Sequence, residues 1–225
     1  MSLPRAWDAF DAYLFDIDGT LINCSDAVHY FAFCDALTSI ANRPMNLDGV
    51  VTHGNTDVGI LRDAFTHAAI PEDLWRPQLV RIQEQMCSQV EQNRDQLCAA
   101  VLPRVREVLL HLQRKGAILS VATGNLERIG RQKLTAAGLL DFFHLGAWSD
   151  KFEYRADVFR HAIQQVRCRL PRDPSILVIG DTTADVLAAR ANHLPVIAVA
   201  TGTYTFEQLA TSQPSLCLHS FAELL

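Results

Sequence analysis

The sequence predicts an α/β protein: a doubly wound parallel sheet that carries an inserted all-helical unit. Three observations lead there. Short, continuous apolar runs recur along the chain, and most end in a turn signal. Helical patterns alternate with the runs, the order expected of a parallel sheet covered by helices. One long stretch, residues 23–98, breaks this alternation with helical patterns alone.

Taken in order, residues 13–17 (YLFDI) read as a strand stopped by Asp18-Gly19-Thr20. Four later runs read the same way: 118–123 (ILSVAT, before Gly124-Asn125), 145–148, 176–180 (ILVIG) and 196–200 (VIAVA). Strands this uniformly apolar are buried on both faces, as in a parallel sheet. Helices are expected at 105–115, 128–137, 158–167 and 184–191. Within the insert, helices are expected near 27–40, 58–67 and 74–91, with the polar stretch 91–96 (EQNRDQ) as the return linker. The boundaries follow: a Rossmann-like core of residues 1–22 and 99–225, and a helical cap of residues 23–98. Leaving the core just after the first strand places the cap above the carboxyl ends of the sheet. Ligands bind at that edge, so the cap is expected to act as a lid. No internal repeat or low-complexity segment is visible.

Composition removes several classes of function. A chain of 225 residues fits one core domain with an insert, and at this size roughly 70% of the unfolded surface is buried. Hydrophobic residues make up 49% and charged residues 20%, with eleven Phe, four Tyr and three Trp, which excludes a disordered chain. The net charge of -5 argues against nucleic acid or an acidic membrane as partner, and leaves room for a small anion at a locally positive site. Cys24, Cys34, Cys87, Cys98, Cys168 and Cys217 are scattered without a C-x-x-C pair, so they read as thiols of a reducing compartment. Residues 1–11 lack the apolar segment of a secretory signal, and no apolar run reaches the ~20 residues of a membrane helix. A soluble, cytoplasmic protein is expected. No feature of the sequence specifies an oligomeric state.

The acids fall where strands end. Asp16 and Asp18 lie in FDIDGTL at the end of the first strand, and Asp181 and Asp185 in VIGDTTADVLAA after the fourth. Asp185 would sit in the first turn of a helix, where the dipole favours an acid. Three or four carboxylates converging on one crevice repel unless a hard cation binds them, and oxygen donors of this kind suit Mg²⁺. A plain Asp-Gly turn is the mundane reading of DIDGT. A calcium loop of the EF-hand type fails, because Thr20 and Leu21 stand where an acid or amide and a glycine are required.

DIDGT after the first strand, VATGN after the second and GDTTAD after the fourth resemble the motifs of the haloacid dehalogenase superfamily of phosphohydrolases. The helical insert resembles that superfamily's type 1 cap, and the likeness spans residues 10–202. The resemblance implies a role for each motif residue. Asp16 would be the nucleophile that becomes an aspartyl phosphate. Asp18 would protonate the leaving alcohol and then deprotonate the hydrolytic water. Asp16, the Asp18 carbonyl, Asp181 and Asp185 would hold Mg²⁺. Thr123, with the backbone N–H groups of Gly124 and Asn125, would bind the transferring phosphoryl oxygens. The third motif departs from the family's Lys followed by Pro-x-Pro, since the segment here reads SDKFEYRADVF. Arg155 is the first candidate for its cation and Lys151 the second; an arginine there can clamp phosphate with two donors. The loop THGNTDV, where relatives sense substrate, offers His53, Asn55 and Asp57. On residue type alone, Asn55 or Thr56 reads equally as a helix N-cap with Asp57 in the first turn. His29, His67, His144 and His161 share no spacing and read as structural or exposed.

Within the resemblance, branches separate on single residues. Asp18 favours phosphoryl chemistry over dehalogenation. The cap holds no lysine to form the Schiff base of a phosphonatase. A phosphomutase would place a basic residue in loop 52–58, which has neither Lys nor Arg, although Arg43 and Arg62 lie near. From another class, a phospho-aspartate signalling module that does not turn over is expected to be shorter, with its acceptor on the third strand. The expectation is a Mg²⁺-dependent phosphatase of a small phosphorylated metabolite, whether phosphoglycolate-like, a sugar phosphate or a nucleotide, with phosphoglucomutase-like phosphoryl transfer or a non-turnover phospho-aspartate binding or signalling module as the alternatives. A lid that excludes water disfavours large substrates such as phosphoproteins.

Overall fold

The computed structural model describes residues 2–170 and 172–225; Met1 and Pro171, both within the expected core segments, lie outside the described residues. The chain runs β1 (Ala12–Phe15), β2 (Ile22–Cys24), α1 (Val28–Ala41), α2 (Asp57–His67), α3 (Glu72–Trp75), α4 (Leu79–Gln92) and β3 (Ala99–Val101). It continues through α5 (Val105–Arg114), β4 (Ile118–Ala122), α6 (Glu127–Ala136), β5 (Leu145–Ala147) and α7 (Arg155–Arg169). The last elements are β6 (Ile176–Gly180), α8 (Thr183–Ala191), β7 (Val196–Val199), α9 (Phe206–Thr211) and β8 (Leu216–Leu218).

Six of these strands form one parallel sheet in the order β5-β4-β1-β6-β7-β8. The chain winds outward from β1 in one direction and then from β6 in the other, so the carboxyl ends of β1, β4 and β6 meet at the switch point. Period-two alternation divides each strand between two apolar layers. Tyr13 and Phe15 of β1 face Val108, Leu109 and Leu112 of α5, while Ala12 and Leu14 face Val158, Phe159 and Ala162 of α7. All four β1 residues are buried, as expected for a strand covered on both sides.

The insert departs from the expected all-helical unit in two places. Asn23 and Cys24 belong to β2, which pairs antiparallel with β3 (Ile22↔Val101, Cys24↔Ala99), so a two-stranded ribbon joins cap to core. The helix expected over 74–91 is divided into α3, a 3₁₀ turn at Arg76–Gln78 and α4, because Pro77 has no N–H to continue the ladder. Two further elements, α9 and β8, carried no clear pattern in the sequence. Beyond these, α7 begins three residues before its expected start.

The cap's apolar core gathers Phe33 and Leu37 of α1, Phe65 of α2, Trp75 of α3 and Met86 and Val90 of α4. Phe65 stacks on Trp75 with ring centroids 5.2 Å apart. Truncating a buried Phe of this kind to Ala costs about 3–5 kcal/mol. The same cluster takes in Leu126 and Ile129 at the start of α6, which makes a core helix part of the cap's packing. Arg128 on that helix clamps Glu91 through two nitrogens (2.8 and 2.6 Å) and reaches Glu84 (2.6 Å), both on α4. Across the cleft, Arg62 and Arg76 of the cap both pair with Glu153. Among the described residues no helix is long and apolar enough to cross a membrane.

Candidate active site

The sheet ends bring three acids together. Asp16 follows β1 directly, and its N–H is fixed to the Ile179 carbonyl of β6 (3.0 Å). Asp181 follows β6, and its Oδ1 accepts from the Thr20 hydroxyl (2.9 Å). Asp185 closes the first turn of α8 in a capping box, its Oδ2 accepting from the N–H and hydroxyl of Thr182 (3.1 and 2.7 Å). All three are buried, and each can present one carboxylate oxygen within 4.8 Å of the others. Gly19 makes this approach possible. Its φ is +81°, and a Cβ there would lie 2.3 Å from Asp181 Oδ2.

Arg155, buried at the start of α7, faces this cluster. Its Nη2 lies 2.7 Å from Asp16 Oδ2, its Nε donates to Asp185 Oδ1 (2.7 Å), and Nη1 donates to the Gly54 carbonyl of the cap loop (3.4 Å). One guanidinium does not offset three carboxylates. Burial is the main cause that pushes Asp16 up to about 6; Arg155 opposes it, and the charges of Asp185 and Asp18 add to it. Asp181 is raised well above the carboxylate range by burial and then by Asp16 and Asp185. The donor set fits a hard divalent cation. Mg²⁺–oxygen bonds of about 2.1 Å place ligand oxygens at most about 4.2 Å apart, within reach of the observed cluster.

Asp18 lies in a different setting. Its carboxylate turns to α6, where Lys133 Nζ donates to Oδ1 (2.9 Å) and Oδ2 (2.8 Å), and Asn125 Nδ2 donates to Oδ2 (2.8 Å). Burial alone would raise its pKa, but the ammonium and these hydrogen bonds outweigh it and hold Asp18 down at about 2. Thr123, fully buried at the end of β4, accepts from the backbone and side-chain nitrogens of Asn125 (3.3 and 2.8 Å), which leaves its own proton for a ligand. The Asn125 N–H is therefore already engaged, while Thr123 and Gly124 of the expected phosphate cradle line the cavity.

The cap loop closes over these residues. Asp57 N–H donates to the Gly124 carbonyl (2.7 Å), and Asp57 Oδ2 accepts from Leu126 N–H at the head of α6 (2.8 Å). A Cβ on Gly124 would lie 2.2 Å from the Asn55 carbonyl, so the glycine serves the cap's approach. Thr56 caps α2, accepting from Gly59 N–H (2.9 Å). The Asn55 amide bonds Val51 and Asp63, and His53 Nδ1 lies 3.2 Å from Thr203 Oγ1. Asp57 and Asn55 thus hold the loop in place, although both border the cavity, and His53 bridges it to the core.

One expectation needs correction. Lys151 is exposed on a 3₁₀ turn, Ser149–Lys151, and lines a separate groove with Trp148 and His161; the turn buries Ser149 and directs the lysine outward. His29, expected to be structural or exposed, is half-buried. It stacks on Phe33 (4.9 Å), places Nε2 3.2 Å from Asp57 Oδ2, and borders the cavity. Lys133, which borders the cavity and bonds Asp18, is a site residue that the sequence reading does not single out. Its signal is a lysine four residues after Ile129, on the apolar face of the helix that follows Thr123-Gly124-Asn125.

A cavity of about 260 Å³ lies between the acids and the cap, lined on the cap side by His29, Tyr30, Phe33, Leu47, His53 and Ile60 among others. Fold and site together define an α/β enzyme with a capped, carboxylate-rich crevice. The haloacid dehalogenase-like hydrolase family model matches residues 13–199. A Dickeya dadantii protein named "Probable phosphatase IndB" is 28% identical over 215 residues, covering 94% of this chain and 90% of the relative. A phosphoglycolate phosphatase of Mesorhizobium japonicum is 26% identical, covering 94% and 91%. Among solved structures, CbbY from Rhodobacter sphaeroides in complex with phosphate superimposes with a TM-score of 0.65 at 20% identity, covering 96% of each chain. A haloacid dehalogenase-like family protein from Streptococcus pneumoniae gives 0.64 at 20%, with the same coverage. The chain belongs to the haloacid dehalogenase-like hydrolase family and is a hydrolase of its phosphatase branch.

Proposed function

We propose that the protein is a Mg²⁺-dependent phosphatase that hydrolyses a small phosphate monoester through a phosphoryl group carried on Asp16. The observation that carries this reading is the convergence of Asp16, Asp181 and Asp185 beside Arg155, beneath a cavity of about 260 Å³. Asp16, Asp181 and Asp185, with the Asp18 carbonyl by family resemblance, would hold Mg²⁺. When bound, Mg²⁺ supplies the positive charge that lets a carboxylate approach a phosphate dianion.

The chain's own groups then divide the work. An Asp16 oxygen attacks phosphorus, the bond to the ester oxygen breaks, and that oxygen takes its proton from the Asp18 carboxyl. In the second half a water oxygen attacks phosphorus, its proton passes to Asp18, and the bond to Asp16 breaks. In the free enzyme Asp18 is held ionised, the form that accepts the water proton. A phosphate dianion in the same crevice raises its proton affinity by like-charge repulsion, which favours the acid form for the first half. Thr123 and the Gly124 N–H bind phosphoryl oxygens, and Arg155 stabilises the charge on them.

The cavity narrows the substrate class. The cations lining it are Lys133 and Arg155, both from the core and both already paired with acids. Its cap wall offers aromatic and imidazole surface without Lys or Arg, which favours a monophosphate over the second phosphate that a mutase must grip. The volume favours a short acid or sugar phosphate over a nucleotide, and the phosphoglycolate phosphatases among the relatives point the same way. A cytoplasmic setting suits six free cysteines.

The test is phosphate release from p-nitrophenyl phosphate and a panel of small phosphate esters, with Mg²⁺, with chelator, and with Asp16→Asn. Metal-dependent release that falls at least about a thousandfold in the variant is expected. Equal rates in wild type and Asp16→Asn would overturn the assignment.

A further inference from the structure

Lys133 is 4% exposed, on the face of α6 that turns toward the sheet ends. An ammonium has three protons, and all three find acceptors here: Asp18 Oδ1 at 2.9 Å, Asp18 Oδ2 at 2.8 Å and Asn125 Oδ1 at 2.8 Å. The third bond has a consequence for the Asn125 amide. With Oδ1 bound to the lysine, Nδ2 points to Asp18 Oδ2 (2.8 Å) and Thr123 Oγ1 (2.8 Å). Lysine, amide, carboxylate and hydroxyl therefore form one closed knot in which each group fixes the next. The Asp18 carboxylate is held by three donors on its α6 side, while Asp18, Asn125, Thr123 and Lys133 all border the cavity. The same helix carries Leu126 and Ile129 into the cap's apolar core and receives Asp57 at its first turn. The element that seats the cap is thus the element that holds Asp18.

We propose that Lys133 is a positioning residue that aims the Asp18 carboxyl at the leaving-group oxygen, with Asn125 as its lever arm. The inference rests on the phosphatase reading above. Lys133 touches neither phosphoryl group nor leaving group in this role and acts through Asp18. Because Asp18 donates the proton as the ester bond breaks, its aim matters most for leaving groups that depart poorly as anions. A lysine that merely balances a buried charge would affect all substrates alike.

The experiment compares kcat/KM, which reports the steps through phosphoryl transfer to Asp16, across monoesters from 2,4-dinitrophenyl phosphate to alkyl phosphates. In Lys133→Met the loss on alkyl esters should exceed the loss on the dinitrophenyl ester by about tenfold or more, and Asp18→Asn should show the same steepening. The double variant Lys133→Met/Asp18→Asn should be no worse than Asp18→Asn alone, since a residue that acts through Asp18 has nothing left to position. It also leaves no unpaired charge, so it keeps the test in force if Lys133→Met does not fold. A uniform loss across the series, or additive losses in the double variant, would overturn the proposal. Wild-type protein inert toward every ester would overturn the phosphatase reading and the inference with it.

Discussion

Asp16 and Asp18 are two residues apart and inhabit opposite electrostatic worlds. Asp16 shares a buried pocket with two other acids and one arginine, and its carboxyl is pushed up to about 6. Asp18 faces a lysine and an amide and is held at about 2. The cause is the end of β1. While the strand lasts, residues i and i+2 share a face, but the Gly19 turn that follows sends the second carboxylate to α6. In the proposed mechanism, one short segment thus supplies both the attacking oxygen and a proton carrier held apart from it.

The largest test of this contrast is the opposite response of the two acids to neutralisation. Without metal, Asp16→Asn should raise the melting temperature, because it removes one of three crowded charges. Asp18→Asn should lower stability by about 3 kcal/mol, because it strands the buried Lys133. Thermal melts of both variants in chelator check this, and two shifts of the same sign would break the comparison.

A smaller effect is the pH dependence of the metal-free protein. Asp16 has a raised pKa, so its favourable contribution is complete below about 3.8 and is lost as pH rises through about 6. Melting temperature in chelator should therefore fall between pH 5 and pH 7, by about 2–4 °C for each kcal/mol lost, and Mg²⁺ should restore it more at pH 7 than at pH 5. Asp18 has a lowered pKa and works in reverse: its contribution holds above about 3.8 and is lost as pH falls toward 2. Metal that stabilised equally at both pH values would show that the acids are not the binding groups.

The smallest expected effect lies at the cap. Arg128→Ala removes a half-exposed clamp on Glu91 and Glu84 and should cost about 1 kcal/mol or less. Leu126 and Ile129 hold the same junction by apolar contact, so KM for small esters should change by no more than a few-fold. A large KM change would show that the ion pairs, rather than the apolar seat, govern closure.

Much of this architecture is written in local patterns. Apolar runs at 118–123 and 176–180 mark β4 and β6 because a strand buried on both faces needs no polar alternation. Asp16 and Asp181 are legible for a related reason: they stand at the first polar positions after such runs, where the sheet ends, and Asp185 follows in the first turn of the next helix. Strands β2, β3 and β8, three residues each, are illegible because so short a run shows no periodicity.

By itself, then, the sequence determined the parallel sheet, the helical insert and the clustering of acids at strand ends, since all three follow from periodicity and turn chemistry within a few residues. Only the tertiary structure decided which cation serves which acid. Arg155 reaches Asp16, Lys133 reaches Asp18 from 115 positions away, and Lys151 reaches neither. A long flexible side chain takes its partner from the packing of the element that carries it, and that packing has no signature in the neighbouring residues.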